Sequence, residues 1–500
     1  MKLSELYEEL KRHKDAELIS HGSNPDITDL AYDSRLVSDG GGVIFACVRG
    51  DNADGHKFAK SAVANGALAL LCERALPMAI PQIITSGVRG AMGLAASILY
   101  GTPSGKLKMI GLTGTNGKTT TTYITTSIVR ASGAVCGMIG TVVYCDGKEQ
   151  THAEHTTPEG PDIQRLLVKM AANGASYCVM EASSHGLDQG RLDGCGFVRA
   201  GFSNLTPEHL EYHENMERYF EAKRKLFTEY MTEEWLGAAN ADDAWGKKLI
   251  DEFNGKIYGY SQGENSGNAY YTASITSSGI SGMSLDITYP DGRSYMVHSP
   301  LIGAYNASNI LESAVLADSL GFDSDTISRG VSLCTRIPGR LERYSFSNGV
   351  TAFVDFAHSE DGMKQAMGTL RSLVRGRLHV LWGAGGDRTP LKRPVVGELM
   401  ARMADHVVIS TDNPRSESPA DIARDIEVGV TRSGVNVRCE TILDRGEAIA
   451  RILDSAGIGD VVLIAGKGPE RHIDYKTHRV PFLDADEVTA WGRNRSLEVN

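Results

Sequence analysis

The stretch that decides the fold is Met109-Ile110-Gly111-Leu112-Thr113-Gly114-Thr115-Asn116-Gly117-Lys118-Thr119-Thr120-Thr121. A short apolar run ends in a loop of small residues, and residues 122–129 suit a helix. A strand, a glycine-rich loop and a helix predict a phosphate-binding loop, because main-chain N–H groups and a helix N-terminus favour phosphate oxygens. Lys118 would reach the phosphates and Thr119 would hold Mg²⁺. The loop is a variant, since Leu112 stands where the strict pattern has glycine; a plain Gly/Thr-rich turn is the alternative.

Length and composition indicate an ordinary globular protein of several domains. A chain of 500 residues exceeds what one core supports, so we expect two to four domains. A net charge of −11 argues against nonspecific nucleic-acid binding. Eight scattered cysteines without a Cys-x-x-Cys pair favour a reducing compartment. The acidic start is unlike a signal peptide and no apolar run is of bilayer length, so we expect a cytoplasmic protein without membrane insertion.

Residues 1–104 predict a small α/β domain. Strands over 43–48 and 68–72 flank a helix over 58–67, and residues 101–105 are typical of a linker. Two polar clusters, 32–35 and 50–56, suit either loops or binding.

The region from 105 to 336 continues as alternating strands and helices behind the phosphate loop. An apolar strand over 177–181 ends on Glu181, where a carboxylate in such a domain binds Mg²⁺; a strand-end cap is the alternative. His209 and His213 are spaced for one helix face, without a third ligand for zinc, and indicate surface or hydrogen-bonding histidines. The basic helix over 219–227 is explained by default as a solvated face.

Beyond a hinge at 336–342, four apolar strands each end in polar residues. They cover 351–355, 378–382, 406–410 and 461–465. Because the carboxyl ends of parallel strands share one edge, we expect these polar residues to line one crevice. No G-x-G-x-x-G is present, so a nicotinamide site is set aside.

Taken together, these motifs resemble the Mur ligase family, in the family's order and over essentially the whole chain. The segments that carry the resemblance are 113–120, 181–185, 240–243, 303–309 and 338–340. The resemblance implies an α/β fold of three domains: a small N-terminal UDP-substrate domain at 1–104, a central P-loop ATPase domain with a mainly parallel sheet at 105–336, and a C-terminal Rossmann-like domain at 337–500. It also implies a monomeric ligase of peptidoglycan precursor synthesis that uses ATP and Mg²⁺.

The resemblance assigns roles to individual residues. The ATP-binding set is Gly114, Thr115, Asn116, Gly117, Lys118, Thr119, Thr120, Asn306, Arg340 and Asp355. The UDP-substrate set is Ser34 and Arg35 at the uridine end, with Thr156, Thr157, Ser183, Gln189 and Arg191 at the muramoyl-dipeptide part. The metal set is Thr119, Glu181, His209 and Lys223 as N6-carboxylysine, and the catalytic set is Lys118, Lys223 and His209.

Within the family, Asp412-Asn413-Pro414-Arg415 resembles the motif of members that add meso-diaminopimelate to UDP-MurNAc-L-Ala-D-Glu. The implied amino-acid set is Arg388, Asp412, Asn413, Pro414, Arg415, Gly466 and Glu470. Arg415 suits the far carboxylate of diaminopimelate and Glu470 its ammonium, whereas lysine would leave the arginine unpaired. The chain departs from the family pattern at Glu208, 359–360, 389–391 and Pro469. The alternatives are a ligase for L-lysine or another diamino acid, a folylpolyglutamate-type ligase, and a catalytically silent Mur-like binding partner.

Overall fold

The structure, a computed structural model, describes four stretches of the chain. They are residues 1–38, 40–50, 53–263 and 270–498, so Asp51 and Asn52 of the second polar cluster lie outside them. The chain divides into two compact units. The first contains 1–274, 287–295 and 308–333, and the second contains 275–286, 296–307 and 334–500.

The first unit begins with a five-stranded sheet. Its strands are β1 Glu17–Ile19, β2 Asp29–Ala31, β3 Val43–Ala46, β4 Ala69–Cys72 and β5 Gln82–Ile84, and its helices are α1 Leu3–Lys11, α2 Ala59–Ala64 and α3 Val88–Leu99. The strand order is β1-β5-β4-β3-β2, with β1 antiparallel to β5 and the other neighbours parallel. β3 and β4 are fully buried, as continuous apolar runs in parallel sheets are. α2 is shorter than the predicted helix because Gly55–Phe58 forms a 3-10 turn capped by Asp54.

An eleven-stranded sheet follows, in the order β16-β15-β14-β13-β12-β11-β6-β10-β7-β8-β9. Its strands are β6 Lys108–Thr113, β7 Cys136–Ile139, β8 Val143–Cys145, β9 Gln150–His152, β10 Tyr177–Glu181, β11 Phe197–Phe202, β12 Met231–Asn240, β13 Ile257–Ser261, β14 Tyr271–Gly279, β15 Gly282–Thr288 and β16 Ser294–Ser299. The run from β14 to β7 is parallel. This arrangement places the carboxyl ends of β6, β7 and β10 side by side at one edge of the sheet.

The helices of this region are α4 Lys118–Ala131, α5 Gly160–Ala172, α6 Ser184–Asp188, α7 Leu210–His213, α8 Met216–Glu229, α9 Ala244–Glu252, α10 Ala304–Ser319 and α11 Ser324–Leu333. Helices α4 to α9 lie between strands of the parallel part of the sheet, and α10 and α11 follow β16. The loop between β6 and α4 is the predicted phosphate loop, so the sequence placed its strand and helix correctly. Among the described residues, no helix has both the length and the apolar character needed to span a membrane.

The second unit contains a six-stranded sheet of order β17-β18-β22-β19-β20-β21. Its strands are β17 Glu342–Ser345, β18 Thr351–Asp355, β19 Leu378–Trp382, β20 His406–Ile409, β21 Arg438–Thr441 and β22 Val461–Ala465, followed by a hairpin of β23 His472–Asp474 and β24 Arg479–Pro481. Its helices are α12 Glu360–Leu373, α13 Lys392–Met403, α14 Pro419–Arg432, α15 Arg445–Asp454 and α16 Asp484–Asn494. The four predicted strands, β18, β22, β19 and β20, are parallel neighbours. Their polar ends therefore share one edge, as the sequence predicted.

Candidate active site

The phosphate loop between β6 and α4 has a backbone that only glycine fits at two positions. Gly114 and Gly117 have φ angles of 141° and 91°. A Cβ atom would lie 2.0 Å from Ser203 Oγ at the first position and 2.4 Å from Asn309 Oδ1 at the second. Lys118 Nζ donates to the main-chain oxygens of Gly114 and Thr115 at 2.8 and 2.9 Å. The Lys118 side chain therefore folds back over the loop that is predicted to bind phosphate.

Glu181, at the end of β10, meets two hydroxyl groups and one amide. Thr119 Oγ1 donates to Glu181 Oε2 at 3.1 Å. Thr141 donates its amide to Oε1 at 2.9 Å and its hydroxyl to Oε2 at 2.8 Å. A carboxylate beside a threonine of the phosphate loop is an all-oxygen donor set, which suits Mg²⁺ completed by substrate phosphates. Within the described stretches there is no cluster of three His, Cys, Asp or Glu that could hold a metal alone.

Lys223 of α8 lies in the core, beneath the same loop. Its side chain is 1% exposed, and Nζ donates to Gly114 O at 2.7 Å. Burial, and secondarily the charge of Lys118, hold the pKa of Lys223 well below the usual lysine value. The default explanation of this helix as a solvated face is therefore wrong at Lys223.

The rings of the two histidines lie on one side of α7, where both contact His185 and Tyr219, but they differ in burial. His209 precedes α7 with a φ of 55° and is half exposed, whereas His213 is buried and stacks on Tyr219 at 4.9 Å between ring centroids. Burial lowers the pKa of His213 to about 4. The expectation of two surface or hydrogen-bonding histidines is therefore wrong for His213. The Tyr219 ring also lies 6.4 Å from the His209 ring and 4.7 Å from Lys223 Nζ, so one aromatic side chain contacts both proposed metal-site residues.

The proposed muramoyl-dipeptide residues form one hydrogen-bonded group around the end of β10. Thr157 Oγ1 donates to Glu181 O at 2.9 Å and accepts from the Ser183 amide at 3.0 Å. Arg191 donates to Thr157 O at 2.8 Å and to Gln189 Oε1 at 2.8 Å.

Thr156 joins this group through the hydroxyl of Thr141, 3.1 Å away. The uridine-end residues Ser34 and Arg35 are held by local contacts. Asn65 donates to Ser34 O at 2.8 Å, and Arg35, whose side chain is 87% exposed, pairs with Asp33. The structure thus brings the proposed muramoyl-dipeptide residues together. The residues proposed for the uridine end, Ser34 and Arg35, lie in a 3-10 turn after β2.

The remaining nucleotide residues, Asn306, Arg340 and Asp355, belong to the second unit. Asn306 Nδ2 donates to Ile302 O at 2.7 Å. Asp355, at the end of β18, accepts from the amides of Leu341 and Ala357 at 2.6 and 2.8 Å, and burial raises its pKa. The Arg340 guanidinium lies 5.6 Å from the Phe356 ring centroid.

The proposed amino-acid residues follow β19, β20 and β22. Asn413 Nδ2 donates to Glu470 Oε2 at 2.6 Å, and Lys467 Nζ donates to the same oxygen at 3.2 Å. Asp412 is buried, which raises its pKa, and a Cβ atom at Gly466 would lie 2.8 Å from its carboxylate.

The two arginines of this group lie beside one glycine. A Cβ atom at Gly385 would lie 3.1 Å from Arg415 Nη1 and 3.7 Å from Arg388 Cγ. Arg415 Nη1 donates to Gly386 O at 2.6 Å, and Pro414 packs on Gly386. Both arginine side chains thus pass beside Gly385, in loops that follow the neighbouring strands β19 and β20.

Three family models match successive parts of the chain. Their descriptions are Mur ligase family, catalytic domain, at 26–91; Mur ligase middle domain, at 112–317; and Mur ligase, glutamate ligase domain, at 339–468. A protein of Geobacillus kaustophilus named UDP-N-acetylmuramoyl-L-alanyl-D-glutamate--2,6-diaminopimelate ligase is 40% identical over 460 residues, which is 91% of this chain and 92% of that protein. The chain belongs to the Mur ligase family.

Other relatives agree with this assignment. A protein of Chlorobaculum tepidum with the same name is 38% identical over 484 residues, covering 94% of this chain and 93% of its own length. A solved structure of a ligase of that name has a TM-score of 0.66 at 32% identity, covering 94% and 95% of the two chains. The predicted fold class is confirmed: this Mur ligase has the family's three domains of α/β structure and a mainly parallel central sheet.

Several residues of this Mur ligase that contact the proposed site were missed by sequence reasoning. Thr141 binds Glu181, Arg89 donates to Gln189 across a hundred positions of sequence, and Lys467 holds Glu470 and Asn413. The only signal for Thr141 was its place just after an apolar strand. The sequence gave no signal for Arg89, because its partner Gln189 directly follows α6, a hundred positions away.

Proposed function

We propose that this Mur ligase adds meso-diaminopimelate to UDP-MurNAc-L-Ala-D-Glu, with hydrolysis of ATP to ADP and phosphate. The observation that carries the choice of amino acid is that Arg388, Arg415 and Glu470 follow the neighbouring parallel strands β19, β20 and β22 at one sheet edge, where Asn413 binds Glu470. A planar guanidinium binds a carboxylate in two-pronged fashion, and a carboxylate accepts from an ammonium. Diaminopimelate presents both groups at its far end. The names of the relatives, at 38–40% identity over most of the chain, support the same reaction.

ATP is proposed to bind along the phosphate loop, with Lys118 and the amides at the start of α4 facing its phosphates. The left-handed backbone at Gly114 and Gly117 supports this assignment, because it leaves room that a side chain would fill. Asn306, Arg340 and Asp355 are the proposed nucleoside contacts. Mg²⁺ would be held by Thr119 and Glu181, with His209 at a second ion, and would neutralise charge that builds up on the phosphates.

The reaction is proposed to run in two displacements. An oxygen of the substrate's terminal carboxylate attacks the γ-phosphorus of ATP, ADP leaves, and an acyl phosphate forms. The amine of diaminopimelate then attacks the acyl carbon, the C–O bond to phosphate breaks, and an amide forms with loss of a proton from nitrogen. The protein orients the reactants and offsets negative charge, and Lys118 would do so at the transferred phosphoryl group.

Lys223 is proposed to act as a carbamate. Its low pKa and burial support this role, because only the neutral amine reacts with CO₂. The product carries a negative charge, which suits a metal site and would relieve the repulsion between Lys223 and Lys118.

Thr156, Thr157, Ser183, Gln189 and Arg191 are proposed to hold the muramoyl-dipeptide, with Ser34 and Arg35 at the uridine. Their hydrogen bonds to each other and to Glu181 support a shared site. The domain boundaries at 104 and 336 stay predictions. Cytoplasmic location is also proposed, supported by eight unpaired cysteines. A monomer is proposed as well, and sedimentation would test it.

The test is phosphate release from ATP with Mg²⁺ and UDP-MurNAc-L-Ala-D-Glu, with meso-diaminopimelate or L-lysine added in turn. We expect release with diaminopimelate and little with lysine. Release with lysine instead would keep the ligase and reject the role of Arg415. No release with either, from a protein that binds ATP, would favour a silent binding partner or another pair of substrates.

A further inference from the structure

Two loops of the second unit carry the arginines of the proposed amino-acid site. We call residues 383–391 the β19 loop and residues 410–418 the β20 loop. The Gly386 amide donates to Asn413 O at 2.9 Å, and Arg415 Nη1 donates back to Gly386 O at 2.6 Å. A Cβ atom at Gly386 would lie 1.9 Å from Pro414 O, so the two loops touch backbone to backbone.

Farther out, the loops exchange reciprocal side-chain contacts. The Asp387 amide donates to Glu417 Oε1 at 2.6 Å. Ser416 donates its hydroxyl to Asp387 Oδ1 at 2.5 Å. Asp387 and Arg415 have φ angles of 54° and 49°, in the left-handed region that ordinary side chains disfavour. Each loop therefore keeps an unfavourable backbone conformation that its contacts must stabilise: Asp387 through Ser416 and Glu417, and Arg415 through Gly386 and the main-chain oxygen of Asp474.

Glu417 is in turn held by Arg393, a buried residue of α13. Arg393 is 3% exposed and donates to both oxygens of Glu417 at 2.8 Å. Its second acid is Asp425 of α14, at 2.9 Å. Two carboxylates offset the cost of burying the Arg393 charge, and removing either of them leaves part of that buried charge without an ion pair. Arg393 thus fixes Glu417, and Glu417 fixes the amide that leads into Arg388.

We propose that Glu417 and Arg393 are positioning residues that determine selectivity for an amino acid with a distal carboxylate. They hold the β19 and β20 loops in the relative position at which Arg388 and Arg415 bind one carboxylate together. The inference rests on the proposed function, since it assumes that this pair binds the distal carboxylate of diaminopimelate. Glu417 acts through the two arginines. Binding of a ligand without that carboxylate does not depend on the position of the two loops. Loss of Glu417 therefore weakens the binding of diaminopimelate and leaves the binding of lysine unchanged.

The alternative is that Arg393 only joins α13 to α14. Its two acids separate the possibilities. Glu417→Gln removes the charge and one of the two oxygens that accept from Arg393, which weakens the tie to the loops and leaves Asp425. The matched variant Asp425→Asn weakens the tie between the helices and leaves Glu417. Glu417→Asp is the conservative rescue, because it keeps a carboxylate for Arg393.

We expect Glu417→Gln to raise the KM for meso-diaminopimelate by about tenfold or more, since small displacements of binding groups have effects of this size. Selectivity over L-lysine should fall by a similar factor, while the KM values for ATP and UDP-MurNAc-L-Ala-D-Glu change by less than about twofold. Asp425→Asn should match the wild type in all of these, and Glu417→Asp should recover part of the selectivity. If both amide variants behave alike, or if Glu417→Gln raises all three KM values together, the proposal is overturned.

Hydrogen–deuterium exchange on the full chain without substrates separates this inference from the proposed function. Exchange at the Asp387 amide should accelerate in Glu417→Gln and stay unchanged in Asp425→Asn, whatever the protein's substrate. Unchanged exchange in Glu417→Gln would overturn the loop tie itself. If exchange accelerates but the wild type does not prefer diaminopimelate, the proposed function fails and the selectivity role fails with it.

Discussion

The side-chain nitrogen of Lys223 lies 2.7 Å from the main-chain oxygen of Gly114. Lys118 donates to that same oxygen from 2.8 Å, so two lysines converge on one carbonyl of the phosphate loop. Two ammonium groups this near repel each other, and Lys223 has no water around it to weaken the repulsion. The arrangement lowers the pKa of Lys223 and so favours its neutral form.

Carbamoylation of Lys223 is the first prediction. Enzyme freed of CO₂ should lose most of its ligase activity and regain it with bicarbonate, because burial lowers the pKa of Lys223 and so favours the neutral amine that reacts with CO₂. Carbon-13 NMR after labelled bicarbonate should show a carbamate signal that is absent from Lys223→Met. The variant should be inactive and indifferent to bicarbonate. Full activity in the stripped wild type would refute the prediction.

Removal of Lys118 should abolish the reaction without unfolding the chain. Lys118→Met should lower kcat/KM for ATP by about a hundredfold or more, as loss of one preorganised charge at a reacting centre does. Lys169→Met, at an exposed position of α5, is the control and should match the wild type. Steady-state phosphate release measures both. If Lys118→Met retains activity, residues 113–120 are not the phosphate-binding loop of the enzyme.

Thr141 should affect the affinity for Mg²⁺ although it is not a proposed ligand. Its hydroxyl donates to Glu181 Oε2 at 2.8 Å, so Thr141→Val leaves that oxygen less well oriented. We expect the Mg²⁺ concentration for half-maximal activity to rise about tenfold, in the range seen for partners of metal ligands. Thr151→Val, at an exposed position of β9, is the control. An unchanged Mg²⁺ requirement would mean that the Thr141 amide alone orients Glu181.

The sequence predicted features that depend on neighbouring residues and missed those that depend on partners far away in the chain. The strands ending on Glu181 and Asp355 were predicted to the residue, because continuous apolar runs bounded by polar residues are a local signal. Lys223 was not predicted to be buried from its pattern, since its helix is rich in charge and its partner lies 109 positions away. The spacing of His209 and His213 predicted that they lie close together, but it did not predict the burial of His213, because its stacking partner Tyr219 belongs to the next helix, α8. Thr141 and Glu417 became visible only when the strand order was known.

Arg415 should decide between diaminopimelate and lysine. Arg415→Met should lower kcat/KM for meso-diaminopimelate by about a hundredfold or more and leave the low lysine activity unchanged or higher, because the penalty of an unpaired arginine disappears. Arg424→Met removes an exposed arginine of α14 and serves as the control. The readout is phosphate release with each amino acid at several concentrations. An equal loss for both amino acids would point to a role of Arg415 in folding the loop.

Glu312 should make the stability of the protein fall as the pH rises from about 4 to about 8. It lies 1% exposed in α10, where Thr121 Oγ1 donates to Oε2 at 3.2 Å, and burial raises its pKa to about 8. Since the folded pKa lies above the value near 4.3 typical of unfolded chains, the folded state holds the proton longer, and stability falls between about pH 4 and pH 8. Glu312→Gln removes this loss, so its urea midpoint should exceed that of the wild type at pH 9 and match it at or below about pH 4. Glu234→Gln, at an exposed position of β12, controls for the general loss of a charge. If Glu312→Gln shifts the midpoint equally at both pH values, Glu312 is ionised in the folded protein and the assignment of its proton is wrong.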